Sequence, residues 1–258
     1  MPAIDDLTLL IDAARASGTI AKRFFKASPE VWDKDDNAGP VTEADLAIDE
    51  MLRSELTAAR PDYGWLSEET EDNPDRLSRE RVFIVDPIDG TRAFIAGEAN
   101  FSHSLAIAEN GLIKTAAVYL PIKDKLYAAT SDGVSTLNGE PIRASSAPVE
   151  GAKMLAARSN LDPEHWKGSV PPVVRHFRPS LAYRLCLVAD GKFDAMLTLR
   201  DCWEWDIAAG DLIVRQAGGQ VTDRFDDALS FNSPMAKTRG CHAAGQALHA
   251  ELQSRLAT

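Results

Sequence analysis

Apolar residues at Ile4, Leu7, Leu10, Ile11 and Ala14 recur with the spacing of one helical face, and polar residues fill the positions between them. The pattern predicts a helix from residue 4 to about 25, with Asp5 or Asp6 as its cap. A polar, turn-rich connector follows, SPEVWDKDDNAGP (28–40). A second helix is predicted over 43–59, its apolar face made of Ala44, Ala47, Ile48, Met51, Leu52 and Leu56, with Pro61 just beyond its end. At Arg81 the period changes. RVFIV is a short continuous apolar run, which suits a strand buried on both faces. SHSLAIAENGLIKTAAVYLP (102–121) reads as two strands joined at Asn110-Gly111, a pair made for a tight hairpin turn. The meander continues through Asp132-Gly133 and Asn138-Gly139.

After Arg143 the elements mix. A strand at 153–157 precedes a helix over 180–189, then the strand FDAMLTL, a helix over 206–217 stopped by Gly218-Gly219, and the strand QVTD. The predicted class is α/β, with an α+β N-terminal half (1–145) and an α/β C-terminal half (146–258). No flexible linker marks the boundary, and no internal repeat or low-complexity stretch is present.

Composition narrows the function classes. The chain has 258 residues, 45% hydrophobic and 26% charged, as in an ordinary folded protein. Its 39 acids against 28 bases leave a net charge of -11, which argues against binding a nucleic-acid polymer through basic stripes. The same field would repel an anionic substrate unless bound cations reversed it locally. Cys186, Cys202 and Cys241 fit neither a zinc cluster nor a disulfide framework and read as free thiols in a reducing cytoplasm. The N-terminus lacks the basic region of a secretory signal. No stretch approaches the ~18 apolar residues of a membrane span.

Three acidic places stand out: Glu68-Glu69 after Trp65-Leu66, Asp86 and Asp89 in FIVDPIDGTRAF, and Asp206 in CWEWDIAAGDLIV. Each has a plain reading. Glu68-Glu69 suit a solvated turn, Asp206 a helix cap, and Asp45 a capping box with Thr42 in TEAD. Together they suit something else. Hard divalent cations take a few carboxylates plus substrate phosphate, and several acids packed without a cation would drive one another's pKa upward. Asp86 and Asp89 flank Pro87, whose restricted backbone suits a turn that lets both carboxylates and a main-chain carbonyl meet an ion. Gly90-Thr91 offers N–H groups and a hydroxyl for phosphate oxygens. The five histidines (103, 165, 176, 242, 249) show no metal-ligand spacing, and neither a Gly-x-Ser-x-Gly elbow nor a Gly-x-x-x-x-Gly-Lys loop occurs.

DPIDGT (86–91), SEE (67–69) and WDIAAGDLIVRQAGG (205–219), in that order and spacing, resemble the inositol monophosphatase family of metal-dependent phosphatases, over most of the chain. The resemblance implies an αβαβα layered fold and hydrolysis of phosphate monoesters with two or three Mg2+ ions, commonly sensitive to Li+, often in a homodimer. It implies Glu68, Asp86, Asp89 and Asp206 as metal ligands and Ile88 as the donor of a main-chain oxygen. Gly90 and Thr91 match the phosphate-binding pair, and Thr91 with Asp45 the pair that orients and deprotonates the attacking water. Lys34 falls where relatives often carry a lysine near the site. The implied displacement runs in line, without a phosphoenzyme.

The substrate reading is divided. Inositol-specific relatives carry an acid upstream of the Trp-Asp pair, where this chain has Leu199; Asp201 and Glu204 are the substitutes at hand. SLAYRLCLVADGKFDA and EWDIAAG look more like bacterial 3'(2'),5'-bisphosphate nucleotidases, which remove the 3'-phosphate of 3'-phosphoadenosine 5'-phosphate. Arg178, Arg184 and Arg200 are candidates for holding a second phosphate. The alternatives are inositol-1-monophosphatase and then histidinol-phosphate phosphatase. Outside the family stand a haloacid-dehalogenase-type phosphatase, whose two aspartates are one residue closer than Asp86 and Asp89, and a non-catalytic metal- or nucleotide-binding protein.

Overall fold

The computed structural model describes residues 4–33 and 39–257. Helix α1 (Asp6–Phe24) is capped by Asp5, whose Oδ1 accepts the Thr8 N–H at 2.9 Å. A short ribbon, β1 (Val31–Asp33) against β2 (Pro40–Thr42), leads into α2 (Glu43–Ala59). Then come β3 (Gly64–Ser67), β4 (Arg81–Asp89), the five-residue helix α3 (Thr91–Ile95), β5 (Ser102–Glu109), β6 (Leu112–Leu120), β7 (Lys125–Thr130), β8 (Thr136–Leu137) and β9 (Glu140–Pro141). Strands β3 to β9 form one sheet in sequence order. The pair β3–β4 is parallel and every later pair antiparallel. At the predicted hairpin Asn110 and Gly111 both take positive φ, 51° and 81°, as a type I′ turn requires.

The C-terminal part supplies β10 (Lys153–Ala156), β11 (Val174–His176), α4 (Leu181–Ala189), β12 (Ala195–Thr198), β13 (Cys202–Trp203), α5 (Glu204–Gln216), β14 (Gly219–Thr222), β15 (Lys237–Thr238), β16 (Cys241–Gly245) and α6 (Gln246–Arg255). Its five-stranded sheet has the order β11-β10-β12-β16-β14, with β16 antiparallel to both neighbours. β13 and β15 pair as a separate ribbon.

Five layers result. Helices α1 and α2 cover one face of the first sheet, α4 and α5 lie between the two sheets, and α6 closes the far side. The alternation in β4 shows how. Phe83 and Val85 join the cluster under α1 and α2, while Val82 and Ile84 join the cluster around α4 and α5, so this strand is buried on both faces. Helices α4 and α5 cross closely at Gly210, where a Cβ would stand 2.4 Å from Leu185 Cδ1. Tyr127 from the first sheet and Met196 from the second share the central cluster, so the two sheets are held by one body of apolar packing.

Candidate active site

Side chains alternate along a strand, so Asp86 and Asp89, three residues apart, belong on opposite faces of an unbroken β4. The strand is not unbroken. Asp86 pairs with Ser104 and Asp89 with Ser102, and the register slips between them. The sequence predicts a turn after Val85; the structure instead carries the strand through to Asp89, with a bulge at Pro87-Ile88 that re-aims one carboxylate. Pro87 has no N–H to lose there. His103, on β5, fixes the bulge: its Nδ1 lies 2.5 Å from the Pro87 carbonyl oxygen. That oxygen only accepts, so Nδ1 carries the proton. Burial holds the imidazole down to about 4, neutral at ordinary pH.

Asp86 follows Val82 and Ile84 on the face toward α5, and α5 brings Asp206 to meet it. Asp206 is not the cap of that helix. Trp203 is the N-cap, without a side-chain bond, and Asp206 stands three residues on. One carboxylate oxygen from each of Asp86, Asp89 and Asp206 falls within 4.8 Å of the others. Glu68, half-buried just beyond β3, faces the same cleft.

The charges in this cluster are unbalanced. Asp86 is 1% exposed and, among the described residues, neither of its carboxylate oxygens has a hydrogen-bond partner. Burial, reinforced by Glu68, Asp89 and Asp206, pushes its carboxyl well above the ordinary range. Asp206 is driven up the same way, by burial and then by Asp89 and Glu68. Asp89 is better served. Its oxygens accept the Ser180 hydroxyl at 2.6 Å, the Ala182 N–H at 2.6 Å and the Leu181 N–H at 3.2 Å, all from the start of α4. Even so, burial raises it to about 6 against those bonds. A buried carboxylate without a donor, among like charges, fits a hard divalent cation whose ligands are oxygens.

Asp45 serves two purposes at once. It completes the capping box of α2, its Oδ2 accepting the Thr42 N–H at 2.9 Å and the Thr42 hydroxyl at 2.5 Å. Its Oδ1 lies 3.3 Å from the Thr91 hydroxyl, which also reaches the Ile88 carbonyl at 3.1 Å. Gly90, with φ 102°, turns the chain from β4 into α3 and places Thr91 beside this pair; a side chain at that φ would be strained.

The cleft has a volume of about 630 Å³. Among the described residues its lining holds the acids Glu68, Asp86, Asp89 and Asp206, and the C-terminal half contributes Phe177, Arg184 and Arg200 to the wall. Arg184 is buried, donates from Nε to the Arg178 carbonyl at 2.5 Å and stacks over the Phe177 ring at 4.5 Å. Burial brings its guanidinium down to about 10, still charged. Arg178 itself does not line the cleft. Neither do Leu199, Asp201 and Glu204. Glu204 is buried elsewhere, accepting the Asn232 and Ser233 N–H groups at 2.6 and 2.9 Å, so it holds a loop rather than facing the cleft. Lys34 lies outside the described residues. His103, Ser180 and Phe177 were not singled out from sequence. A lone histidine among the apolar residues of β5 and a serine at a helix start were the only signals.

A sequence profile of the inositol monophosphatase family matches residues 5–258. The chain is 34% identical over 229 residues to an inositol-1-monophosphatase of Rhizobium meliloti (strain 1021), covering 84% of this chain and 85% of that protein. It is 31% identical over 231 residues to a histidinol-phosphatase of Chlorobaculum parvum (strain DSM 263 / NCIMB 8327), again with 84% and 85% covered. Among solved structures, the extragenic suppressor protein suhB from Bartonella henselae superimposes with a TM-score of 0.82 at 27% identity, over 96% of each chain.

Proposed function

Because the chain belongs to the inositol monophosphatase family of phosphatases, we propose that this cleft hydrolyses a small phosphate monoester with Mg2+ held by Glu68, Asp86, Asp89, Asp206 and the Ile88 carbonyl. The observation that carries this reading is the buried Asp86 carboxylate, which meets no hydrogen-bond donor among the described residues while Asp89 and Asp206 crowd it. Bound Mg2+, as two or three ions, supplies neutralising charge for the phosphoryl and leaving oxygens and acidifies water. The protein's residues do the rest. Thr42 bonds one oxygen of Asp45 and the other lies 3.3 Å from the Thr91 hydroxyl, so a proton leaving the attacking water can pass through the Thr91 hydroxyl to that carboxylate. Gly90 and Thr91 present main-chain N–H groups to the phosphate.

The wall that the C-terminal half contributes sets the substrate. Arg184 and Arg200 beside Phe177 suit a second anionic group and a flat ring, whereas hydroxyl-rich rings are gripped by acids, and Leu199, Asp201 and Glu204 provide none in the lining. The proposed substrate is therefore a 3'(2'),5'-bisphosphate nucleotide such as 3'-phosphoadenosine 5'-phosphate. The second reading is inositol 1-phosphate, favoured by the name of the Rhizobium meliloti relative. Phosphate release with Mg2+ from nucleotide, inositol, histidinol and sugar phosphates tests both. The expected result is the highest kcat/KM for the bisphosphate nucleotide; a preference for inositol phosphate overturns it in favour of the second reading.

A further inference from the structure

Helix α2 carries a second buried acid one turn after Asp45. Asp49 is 7% exposed and on the same face. Its Oδ1 accepts the Ser67 hydroxyl and its Oδ2 the Thr70 hydroxyl, each at 2.5 Å. Ser67 is the last residue of β3 and Thr70 lies three residues on, so the two bonds bracket Glu68 on both sides. We infer that Asp49 is a positioning residue that fixes the Glu68 carboxylate for the cation.

The surrounding bonds fix the directions. The Thr70 hydroxyl accepts the Trp65 Nε1–H at 3.2 Å and so gives its one proton to Asp49. The Ser67 hydroxyl accepts the Glu69 N–H at 3.4 Å and spends its proton the same way. The Glu68 N–H reaches the Val85 carbonyl at 3.2 Å, tying the segment to β4 one residue before Asp86. The other three carboxylates of the cluster stand on β4 or in the first turn of α5. Glu68 stands past the end of its strand, and Asp49 gives it the rigidity those elements give the others. Hydrogen-bonded groups behind metal ligands commonly account for ~10–100-fold in metal affinity.

The inference rests on Glu68 being a ligand, and a double-mutant cycle on the metal-free protein separates the two claims. Mn2+ alone is titrated against wild type, Asp49→Asn, Glu68→Gln and the double variant, reading free Mn2+ by electron paramagnetic resonance. Asp49→Asn is expected to weaken Mn2+ binding about 10-fold, and to add little once Glu68 is Gln, because the two act as one unit. Thr70→Val, which deletes one hydroxyl without changing the shape, is expected to weaken it roughly threefold and keeps the test open if Asp49→Asn folds poorly. An equal effect of Asp49→Asn in both backgrounds, or a lowered melting temperature with unchanged Mn2+ affinity, overturns the inference and leaves Asp49 a loop staple. If Glu68→Gln itself leaves Mn2+ affinity unchanged, the ligand reading of Glu68 falls and this inference with it.

Discussion

Glu204 and Asp206 sit in the same first turn of α5, two residues apart, and their surroundings differ in every respect that matters. Glu204 is completely buried, yet both oxygens receive main-chain N–H groups, from Asn232 and Ser233. Arg76 stands behind the same loop, bonded to the Asn232 side chain and to Asp72. Burial raises the Glu204 carboxyl, and those hydrogen bonds and Arg76 pull it back. Asp206 is raised by burial and by Asp89 and Glu68, against which Arg200 and the Trp203 backbone pull it back only in part. Burial alone therefore does not distinguish an acid that the fold satisfies from one that it leaves crowded. The distinguishing feature is whether the fold supplies the donors or leaves them to be supplied by a ligand.

The most decisive way to break the comparison is to neutralise one acid on each side. Asp86→Asn is expected to lower phosphatase turnover about 1,000-fold while raising the melting temperature of the metal-free protein, because an amide ends the repulsion that arises as the crowded carboxyls ionise. Glu204→Ala is expected to do the reverse. It strands two buried N–H groups that now meet a charged acceptor, at about 1.5–3 kcal/mol each, with melting lowered ~2–4 °C per kcal/mol, and leaves turnover per folded molecule near wild type. Thermal melts without metal, paired with phosphate-release rates, check both. An Asp86→Asn protein that melts lower than wild type without metal removes the idea that this carboxylate waits for a cation.

The sequence exposed one side of this contrast better than the other. Residue type and order single out DPIDGT, Glu68 and Asp206 as candidates, and the structure brings Asp86, Asp89 and Asp206 together in a cleft that Glu68 also lines. The bulge was not readable, because it depends on which residues of β5 face β4, and the sequence of β4 alone suggests a turn after Val85. Strand β3 shows only Trp65-Leu66 as an apolar signal, and its extended form comes from parallel pairing with β4. Strand β16, CHAAG, carries little β-propensity, yet lies between β12 and β14 with all five residues buried. Glu204 looked as available as Asp206, since nothing local announces that a loop 28 residues later will cap it. Phe177, Arg184 and Arg200 span the second sheet and meet only through folding.

Arg184→Ala sharpens the comparison from the substrate side, at the wall of the cleft where the protein, not a cation, supplies the positive charge. Loss of a buried charged donor is expected to cost about 1.5–3 kcal/mol, seen as a ~10–100-fold fall in kcat/KM for a bisphosphate nucleotide and a much smaller one for inositol phosphate. Equal losses for both substrates contradict a second-anion site.

Metal and pH give a smaller, continuous version of the same contrast. In the metal-free protein Asp89 keeps its proton up to about 6, and burial and the neighbouring carboxylates raise Asp86 and Asp206 as well. An unfolded chain gives these protons up near 4. The folded form thus binds more protons above pH 4, and its stability falls as pH rises through the folded values. The ion needs the ionised carboxylates. The gain in melting temperature on adding Mg2+ is therefore expected to grow from pH 5 to pH 8; a gain independent of pH contradicts the crowded-carboxylate account.

The stacked pair His242 and His249, between β16 and α6, extends the comparison to bases. Their rings lie 4.1 Å apart, both are buried, and His242 Nε2 has no partner among the described residues. Burial, and then His249, hold His242 down to about 3, and burial lowers His249 as well. In the unfolded chain each takes a proton below about 6.5, so here the unfolded form binds more protons and stability falls as pH drops from about 6.5 toward 3, opposite in direction to the carboxylates. With saturating Mg2+ present to silence the cleft, His242→Phe is expected to ease that acid slope by about 1.4 kcal/mol per pH unit. Chemical denaturation at pH 7, 6 and 5 reads it directly, and an unchanged slope means the pair is not what makes the folded protein acid-sensitive.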